Sequence, residues 1–397
     1  MNTEQSLLQN NGTGRSVKQS PIHVAHFPFS LYVGGVEMWL LRVLNCAHYD
    51  RFRFSLGLER LGGPLEEPVR RLGIEIFTVP RPLVITLRPS IVLSKLQNIG
   101  WPDVIHCHQF DNGPLLRAAA AFGIKHRIVH IHSSEYLPSW RTPYQRLTMH
   151  LAWYWARRYA TRILACSRVA AEGCLGQKWA SDPRVSILYY GIDLRPFVKS
   201  LAEGARLVRA QMAIPEKSPV IGHVGRFHEE KNHAFILRLV PEVLKVVPDA
   251  HFVLVGDGPL RSTVEAQIAA GGLANRVHLL GTRLDVPALM QHLFDVFLFP
   301  SKWEGFPNVM LEAQAAGLPV ICATTISEEA VIIPEIVQRL DLVAPVEDWV
   351  RAIRSALELR HRVDRERCLK TLTDSDFNIE NSVRRLESIY EEMMRTP

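Results

Sequence analysis

Short, unbroken apolar runs recur along this chain, each followed by a helical stretch, and that rhythm limits the possible folds more than any other feature. In the first half the runs are Ile22–Phe27, Arg53–Leu58, Ile74–Val79, Val104–Cys107, Arg127–Ile131, Ile163–Cys166 and Val185–Leu188. In the second half they are Val220–Val224, His251–Val255, Val277–Leu280, Val296–Phe299 and Pro319–Cys322. Most are continuous rather than alternating, the pattern of strands buried on both faces of a parallel sheet. Strand–helix repetition implies right-handed βαβ units. Two successive sets predict an α/β protein with two doubly wound parallel-sheet domains facing across a cleft. A length of 397 residues suits two domains, and 47% hydrophobic with 22% charged residues excludes a disordered or collagen-like chain.

The expected organisation is a disordered polar tail over 1–20, a first domain over 21–195, a linker over 196–216, a second domain over 217–375 and a terminal helix over 376–397. The tail lacks the apolar core of a signal peptide. No run of 18 apolar residues is present, so no membrane-spanning helix is expected. Six scattered cysteines (46, 107, 166, 174, 322, 368) form no Cys-x-x-Cys pair, which favours a reducing, cytoplasmic setting over a disulfide framework.

Charge divides the halves. Residues 1–200 carry 24 Lys and Arg against 13 Asp and Glu, whereas residues 201–397 carry 22 against 27. A basic half suits phosphates, on nucleic acid, anionic lipid or a phosphorylated substrate. Between Glu135 and Glu172 there is no acidic residue and no lysine. There are six arginines (141, 146, 157, 158, 162, 168), interleaved with Tyr136, Trp140, Tyr144, Trp153, Tyr154, Trp155 and Tyr159. Arginine for lipid phosphates and aromatics for the headgroup layer suit contact of 136–168 with an anionic membrane. A surface helix with inward-packed aromatics is the plainer alternative. No nucleic-acid-binding motif accompanies the segment, so nucleic acid is not expected as a partner.

Four loops in the second half follow strands. Gly225-Arg226 and Lys231 place two cations five residues apart, suited to a diphosphate; a surface pair bridging Glu229 and Glu230 is the alternative. Gly256-Asp-Gly-Pro is a glycine-rich turn, as consistent with a tight βα turn as with phosphate. Leu280-Gly-Thr-Arg283 could meet a planar base. In the fourth, Glu304-Gly305-Phe306-Pro307-Asn308-Val309 leads to Glu312 and Gly317. A helix is expected from Asn308 to Ala316, with Gly317 at its C′ position. Its free N–H groups make an anion site, and Glu304 and Glu312 each suit the paired hydroxyls of a sugar.

These motifs, in this order and spacing, resemble the family 4 retaining glycosyltransferases of the GT-B fold over about residues 21–397. The resemblance implies two Rossmann-like domains and a nucleotide-diphosphate sugar donor, such as a UDP- or GDP-sugar, with no required metal or other cofactor. It implies catalytic roles for Arg226, Lys231, Glu304 and His132. It implies donor binding by Gly34, Gly35, Gly225, Gly256, Arg283, Gly305, Phe306, Pro307, Asn308, Val309 and Glu312. Tyr32-Val-Gly34-Gly35-Val-Glu37 looks like the family's glycine-rich loop. His132 resembles its active-site histidine, leaving His106, His108 and His130 structural or acceptor-side, and a metal at these His-x-His pairs is not expected. In the family the last helix crosses back onto the first domain.

One departure is visible. Residues 323–345 lack the Gly-x-Gly segment that many relatives carry there, as in a subgroup associated with exopolysaccharide assembly, and the role of Glu335 is left open. The basic first half then fits an acceptor that is lipid-linked or a saccharide, used by a cytoplasmic enzyme able to sit peripherally at the inner face of the plasma membrane. A nucleotide-sugar epimerase, a phosphorylase and an inactive scaffold are the competing readings.

Overall fold

In a computed structural model of the chain, residues 20–80, 90–108, 110–133, 142–198, 202–304 and 306–395 are described. Of the expected tail only Ser20 falls within them. The first sheet contains β1 (Ile22–Phe27), β2 (Phe52–Leu58), β3 (Glu75–Thr78), β4 (Val104–Cys107), β5 (His126–Ile131), β6 (Arg162–Ala165) and β7 (Val185–Ile187). The second contains β8 (Val220–Val224), β9 (His251–Val255), β10 (Val277–Gly281), β11 (Val296–Phe299), β12 (Val320–Ala323) and β13 (Val337–Leu340). Strand orders are β3-β2-β1-β4-β5-β6-β7 and β10-β9-β8-β11-β12-β13, and every pairing is parallel. These are two doubly wound, Rossmann-like domains. The order reverses between β1 and β4 and between β8 and β11, and ligands of such sheets bind outside the strand ends at that switch point.

The central strands β4, β9, β11 and β12 are buried at every residue, which is why their sequences are apolar apart from His106 in β4 and His251 at the start of β9. Strand β13 was not anticipated. Its Val-Gln-Arg-Leu sequence is short and half polar, because it lies at the sheet edge with β12 as its partner and Gln338 exposed.

Residues 196–216 are not a bare connection. Phe197, then Ala205 and Val208 of the helix Ala202–Gln211, and Ile214 are buried in the second domain's core together with Ile192 and Leu194. The amphipathic face of that helix finds a partner in Val286–His292, so its apolar side is covered. The chain passes between domains at Gly191, beside its own return at Phe377–Ile379. Ile192 N–H donates to Phe377 O at 2.8 Å and Ile379 N–H to Ile192 O at 3.0 Å. A Cβ at Gly191 would lie 2.2 Å from Ile379 Cα, so the two crossings can pack this closely only with glycine there.

The terminal helix Ile379–Arg395 leaves the second domain and completes the core of the first. Val383, Leu386, Ile389 and Tyr390 are buried against the first sheet's cluster, while Phe377 belongs to the second domain's core. Glu387, buried on the same face, accepts from His48 N–H and Nδ1, both at 2.9 Å. All six cysteines are free. Leu386→Ala should therefore destabilise the first domain by about 2–5 kcal/mol. The check is the urea midpoint of whichever unfolding transition reports Trp39, with a midpoint equal to wild type counting against this packing.

Candidate active site

The loops after β8 and β11 meet at the second sheet's switch point. Lys231 lies in a short 3-10 turn after β8, and Glu304 lies in the loop after β11. Lys231 Nζ is 2.5 Å from Glu304 Oε1, and both side chains are about nine-tenths shielded from solvent (14% and 13% exposed). Backbone ties hold the loops in register: Lys302 N–H donates to Glu230 O at 2.8 Å, and Asn232 Nδ2 donates to Pro300 O at 3.1 Å. The ammonium also sits 5.1 Å from the centre of the Phe299 ring.

Arg226 takes a different position. Its side chain is 78% exposed and its guanidinium pairs with Glu230 at 3.2 Å, so it projects from the rim while Lys231 points inward. Gly225 and Gly256 are neighbours. Gly225 N–H donates to Val255 O at 2.9 Å, and a Cβ at Gly256 would lie 2.1 Å from Gly225 O. With φ of +135° as well, Gly256 is required by loop-on-loop packing. Arg283 is held by Asp285 at 2.7 Å, and this pairing raises the arginine's pKa and lowers the aspartate's.

The helix Asn308–Ala315 starts four residues after Glu304 in the chain. Pro307 stands at its cap with no side-chain cap bond, and buried Asn308 Oδ1 has no partner among the described residues. Val309 is half-buried against the second core. Phe306 stacks on Phe377 at 5.4 Å. Gly305 lies outside the described residues. Ala316 closes the helix and Gly317 follows at φ +61°.

Glu312 is not open to the cleft alone. Arg42, on the first domain's helix Gly35–Cys46, approaches Glu312 Oε1 to 3.7 Å. Burial raises the Glu312 carboxyl pKa, and Arg42 partly offsets that. A second link between domains is Glu329, which accepts from Arg168 N–H at 3.0 Å and from Tyr189 Oη at 2.6 Å. Gln314 fixes the segment after Glu329, donating to Ala330 O and accepting from Ile332 and Ile333 N–H. Glu335 instead pairs with Arg367 on an exposed flank at 3.3 Å. Sequence reasoning missed Arg42, Glu329 and Gln314, whose partners are remote in the chain.

On the first domain's wall, Gly34 caps the helix Gly35–Cys46, and Glu37 folds back so closely that a Cβ at Gly34 would meet its carboxylate. His132 follows β5 and has both ring nitrogens engaged, Nε2 with His108 Nδ1 at 2.9 Å and Nδ1 with the Tyr190 hydroxyl. It belongs to a buried group with His26, His106, His108 and His130. Two trios, His26/His106/His108 and His108/His130/His132, have nitrogens within 4.8 Å of one another, which is within reach of a metal ion. The links of 2.8 and 2.9 Å among them are hydrogen-bond lengths, so His26, His108 and His132 pair with one another, whereas His130 Nε2 has no partner among the described residues.

Comparison with known proteins follows from this geometry. Residues 205–371 match the family described as Glycosyl transferases group 1, and residues 33–195 match Glycosyltransferase Family 4. The Bacillus subtilis (strain 168) protein EpsF, named as a glycosyltransferase, is 31% identical over 387 residues, 94% of this chain and 97% of its own. The chain belongs to the group 1 glycosyltransferases. An Escherichia coli UDP-Gal:alpha-D-GlcNAc-diphosphoundecaprenol alpha-1,3-galactosyltransferase is 25% identical over 388 residues, 94% of this chain and 98% of its own. Anabaena HepE, solved in complex with UDP, superposes with a TM-score of 0.77 at 19% identity, covering 94% of this chain and 100% of HepE. The fold of this transferase is accordingly GT-B.

The histidine group contributes to how the transferase responds to acid, alongside His223, His233 and His251 of the second domain, which burial also lowers. Burial lowers His26 and His132 from 6.5 to about 3, and pushes His106, His108 and His130 well below 6.5. All five stay neutral in the folded state and protonate freely once unfolded. Stability from this source is complete above pH 6.5 and is lost as pH falls below it. Unfolding near pH 5 should take up about five protons from these side chains. Urea melts at pH 7, 6 and 5 should show a falling midpoint, and a midpoint flat across that range would contradict neutral burial.

Proposed function

We propose that the protein transfers a hexose, with retention of anomeric configuration, from a UDP- or GDP-sugar to a lipid-linked or saccharide acceptor in cell-surface or exopolysaccharide biosynthesis, without a metal. The observation carrying this reading is the shielded Lys231–Glu304 pair at the second switch point, in the domain whose Glu312 meets Arg42 of the other domain. An incoming diphosphate would compete with Glu304 for the Lys231 ammonium. The released carboxylate would then accept hydrogen bonds from the hexose hydroxyls. Arg226 at the rim and the uncapped N–H groups near Asn308 would add to the charge opposing the departing diphosphate, a preorganised field that needs little rearrangement during reaction.

Glu312 would hold the ribose hydroxyls once Arg42 has released it, and His132 would line the hexose from the first domain. Gly225, Gly256, Arg283, Phe306, Pro307 and Val309 would shape the nucleotide's side of the cleft. A same-face displacement, in which the leaving phosphate helps deprotonate the acceptor, needs no nucleophile from the protein. The relatives support the substrate classes: the Escherichia coli galactosyltransferase is named for a diphosphoundecaprenol-linked acceptor, and HepE was solved with UDP-glucose. Lys231→Ala and Glu304→Ala should each lower turnover by on the order of 10²–10³ while circular dichroism stays native. Full turnover by either variant sinks the assignment, and conversion of donor without an acceptor would point to an epimerase.

The acceptor side is proposed to rest on an anionic bilayer. Among the described residues, no helix is long and apolar enough to cross a membrane. On the helix Pro143–Tyr159, Trp153, Ala152 and Ala156 are buried, whereas Tyr144, Leu147, Leu151 and Tyr154 form an exposed row, each at least 47% accessible. Trp155 is covered by Arg117 at 4.8 Å. The expected segment thus divides between inward and outward aromatics, and Tyr136, Trp140 and Arg141 lie outside the described residues. Exposed Arg157 and Arg158 end the row. At low salt the protein should sediment with anionic vesicles more than with neutral ones, and Arg157→Glu with Arg158→Glu should abolish the difference. Equal sedimentation of the unaltered protein with both would count against this surface.

A further inference from the structure

Glu312 carries its charge differently from the other shielded carboxylates of the second domain. Glu230, Glu304 and Glu329 are shielded to a similar degree, and each accepts hydrogen bonds from this chain. No hydrogen bond reaches the Glu312 carboxylate among the described residues. The cation facing it is Arg42 of the helix Gly35–Cys46, at 3.7 Å, an ion-pair separation too long for a hydrogen bond. The Arg42 guanidinium also makes no hydrogen bond among the described residues. Asp193, the other carboxylate on which Arg42 acts, is already held by Arg195 at 2.8 and 2.7 Å. The Arg42–Glu312 pair thus balances charge across the domains while its hydrogen-bonding atoms stay uncommitted. Shielded polar groups in that condition are costly until a partner completes them.

Position and chemistry limit what that partner is. Glu312 lies about one turn into the helix Asn308–Ala315, and Arg42 about two turns into its own helix. These helices begin at Phe306–Asn308 and at Gly34–Gly35, the loops proposed to receive the donor from either side. At 27% and 18% exposure, neither Arg42 nor Glu312 is sealed from a ligand. A carboxylate only accepts hydrogen bonds, and a guanidinium only donates them. A phosphate would be drawn to Arg42 and repelled by Glu312, and an ammonium group the reverse. A hydroxyl can donate to one and accept from the other. At 3.7 Å the pair leaves no room for an oxygen directly between its atoms, but one can sit beside both. Hydrogen bonds to charged groups run about 2.5–2.9 Å, so a bridging hydroxyl with open angles needs the two side chains to part by about 1 Å.

We propose that Arg42 is a specificity-determining residue, holding one ribose hydroxyl of the nucleotide jointly with Glu312 from the opposite domain. The hydroxyl donates to Glu312 and accepts from Arg42. Release of the direct ion pair then leaves both charges hydrogen-bonded to one oxygen. Recognition of the nucleotide's sugar requires both walls of the cleft: the second domain alone supplies the Glu312 bond, and docking of the first supplies the other. A deoxy analogue leaves a shielded charge short of a bond on each side, and sites of this kind discriminate strongly against it. This role for Arg42 rests on the proposed placement of the ribose at Glu312.

Calorimetric titration of the full chain with UDP, 2′-deoxy-UDP and 3′-deoxy-UDP tests it, with the guanosine series in their place where GDP binds and UDP does not. The unaltered protein should prefer the natural nucleotide over at least one analogue by on the order of 10–100-fold. Arg42→Met should cut that preference by about tenfold, by weakening the natural nucleotide and leaving the analogue as before. Arg42→Lys, which keeps the charge without the fork, should retain part of it. A loss of charge or domain packing alone would weaken all three nucleotides alike, and an unchanged preference in Arg42→Met overturns the proposal. Equal binding of all three by the unaltered protein overturns it without any variant. Glu312→Ala separates the two readings. Preference lost in Glu312→Ala but kept in Arg42→Met refutes the role of Arg42 alone. Preference kept in Glu312→Ala, or binding of neither UDP nor GDP, refutes the ribose placement beneath it.

Discussion

Everything at the cleft depends on the terminal helix being part of the wrong domain in sequence terms. Residues that follow the second domain complete the core of the first, with Leu386, Ile389 and Tyr390 buried there, the helix against Gly35–Cys46 and Tyr390 against His26 of β1 and His106 of β4. Burying three such side chains contributes several kcal/mol by area alone, about 1.5–3 kcal/mol each. Through Tyr390 the helix also covers His26 and His106, while Trp39 packs on His130 and His132, and this burial disfavours their charged forms. Its entry and the opposite crossing at Gly191 lie side by side, joined by two backbone hydrogen bonds. The domains are therefore connected by a narrow two-stranded hinge. Relative motion about it is permitted, while loss of the helix would unmake one of the domains.

Across that hinge Tyr189 packs on Phe306 and Phe377, and further links among the described residues are polar. Arg42 with Glu312, and Glu329 with the start of the Arg168–Leu175 helix and Tyr189, are charged or hydrogen-bonded links rather than apolar packing. Such links exchange readily with an anionic or hydroxyl-rich ligand. The Lys231–Glu304 pair has the same property within the second domain. A shielded ion pair is expensive to break for nothing and inexpensive to exchange for a phosphate with equivalent hydrogen bonds. The contrast with Arg226 is instructive. The two cations are close in sequence, yet one is enclosed and the other is on the rim, because the 3-10 turn Glu229–Lys231 directs Lys231 toward the loop after β11.

Much of this was legible in the chain. The strands could be read because β4, β9, β11 and β12 are buried on both faces and so must be apolar throughout. Lys231 and Glu304 could be read because motif order and loop position after strands point to one sheet edge. Strand β13 could not, since an edge strand with Gln338 and Arg339 lacks that apolar signal. Residues 196–216 looked like a linker because charge dominates the helix Ala202–Gln211, whose few apolar residues are nevertheless buried. The partners Arg42 and Glu329 had no local signature at all, and Tyr390 was legible only as part of the terminal helix's apolar side. Their significance arises from neighbours more than one hundred residues away.

The sequence by itself determined the two parallel sheets, the loops that carry chemistry and the family to which they belong, because periodicity, glycine placement and motif spacing are local properties. Only the tertiary structure decided which cation is enclosed, which carboxylate faces an arginine of the other domain, and that five buried histidines are linked through a tyrosine of the terminal helix. Those outcomes depend on distances between segments that the chain order leaves unspecified. In a buried, low-dielectric interior, the distances also decide which groups carry charge and where their protons lie.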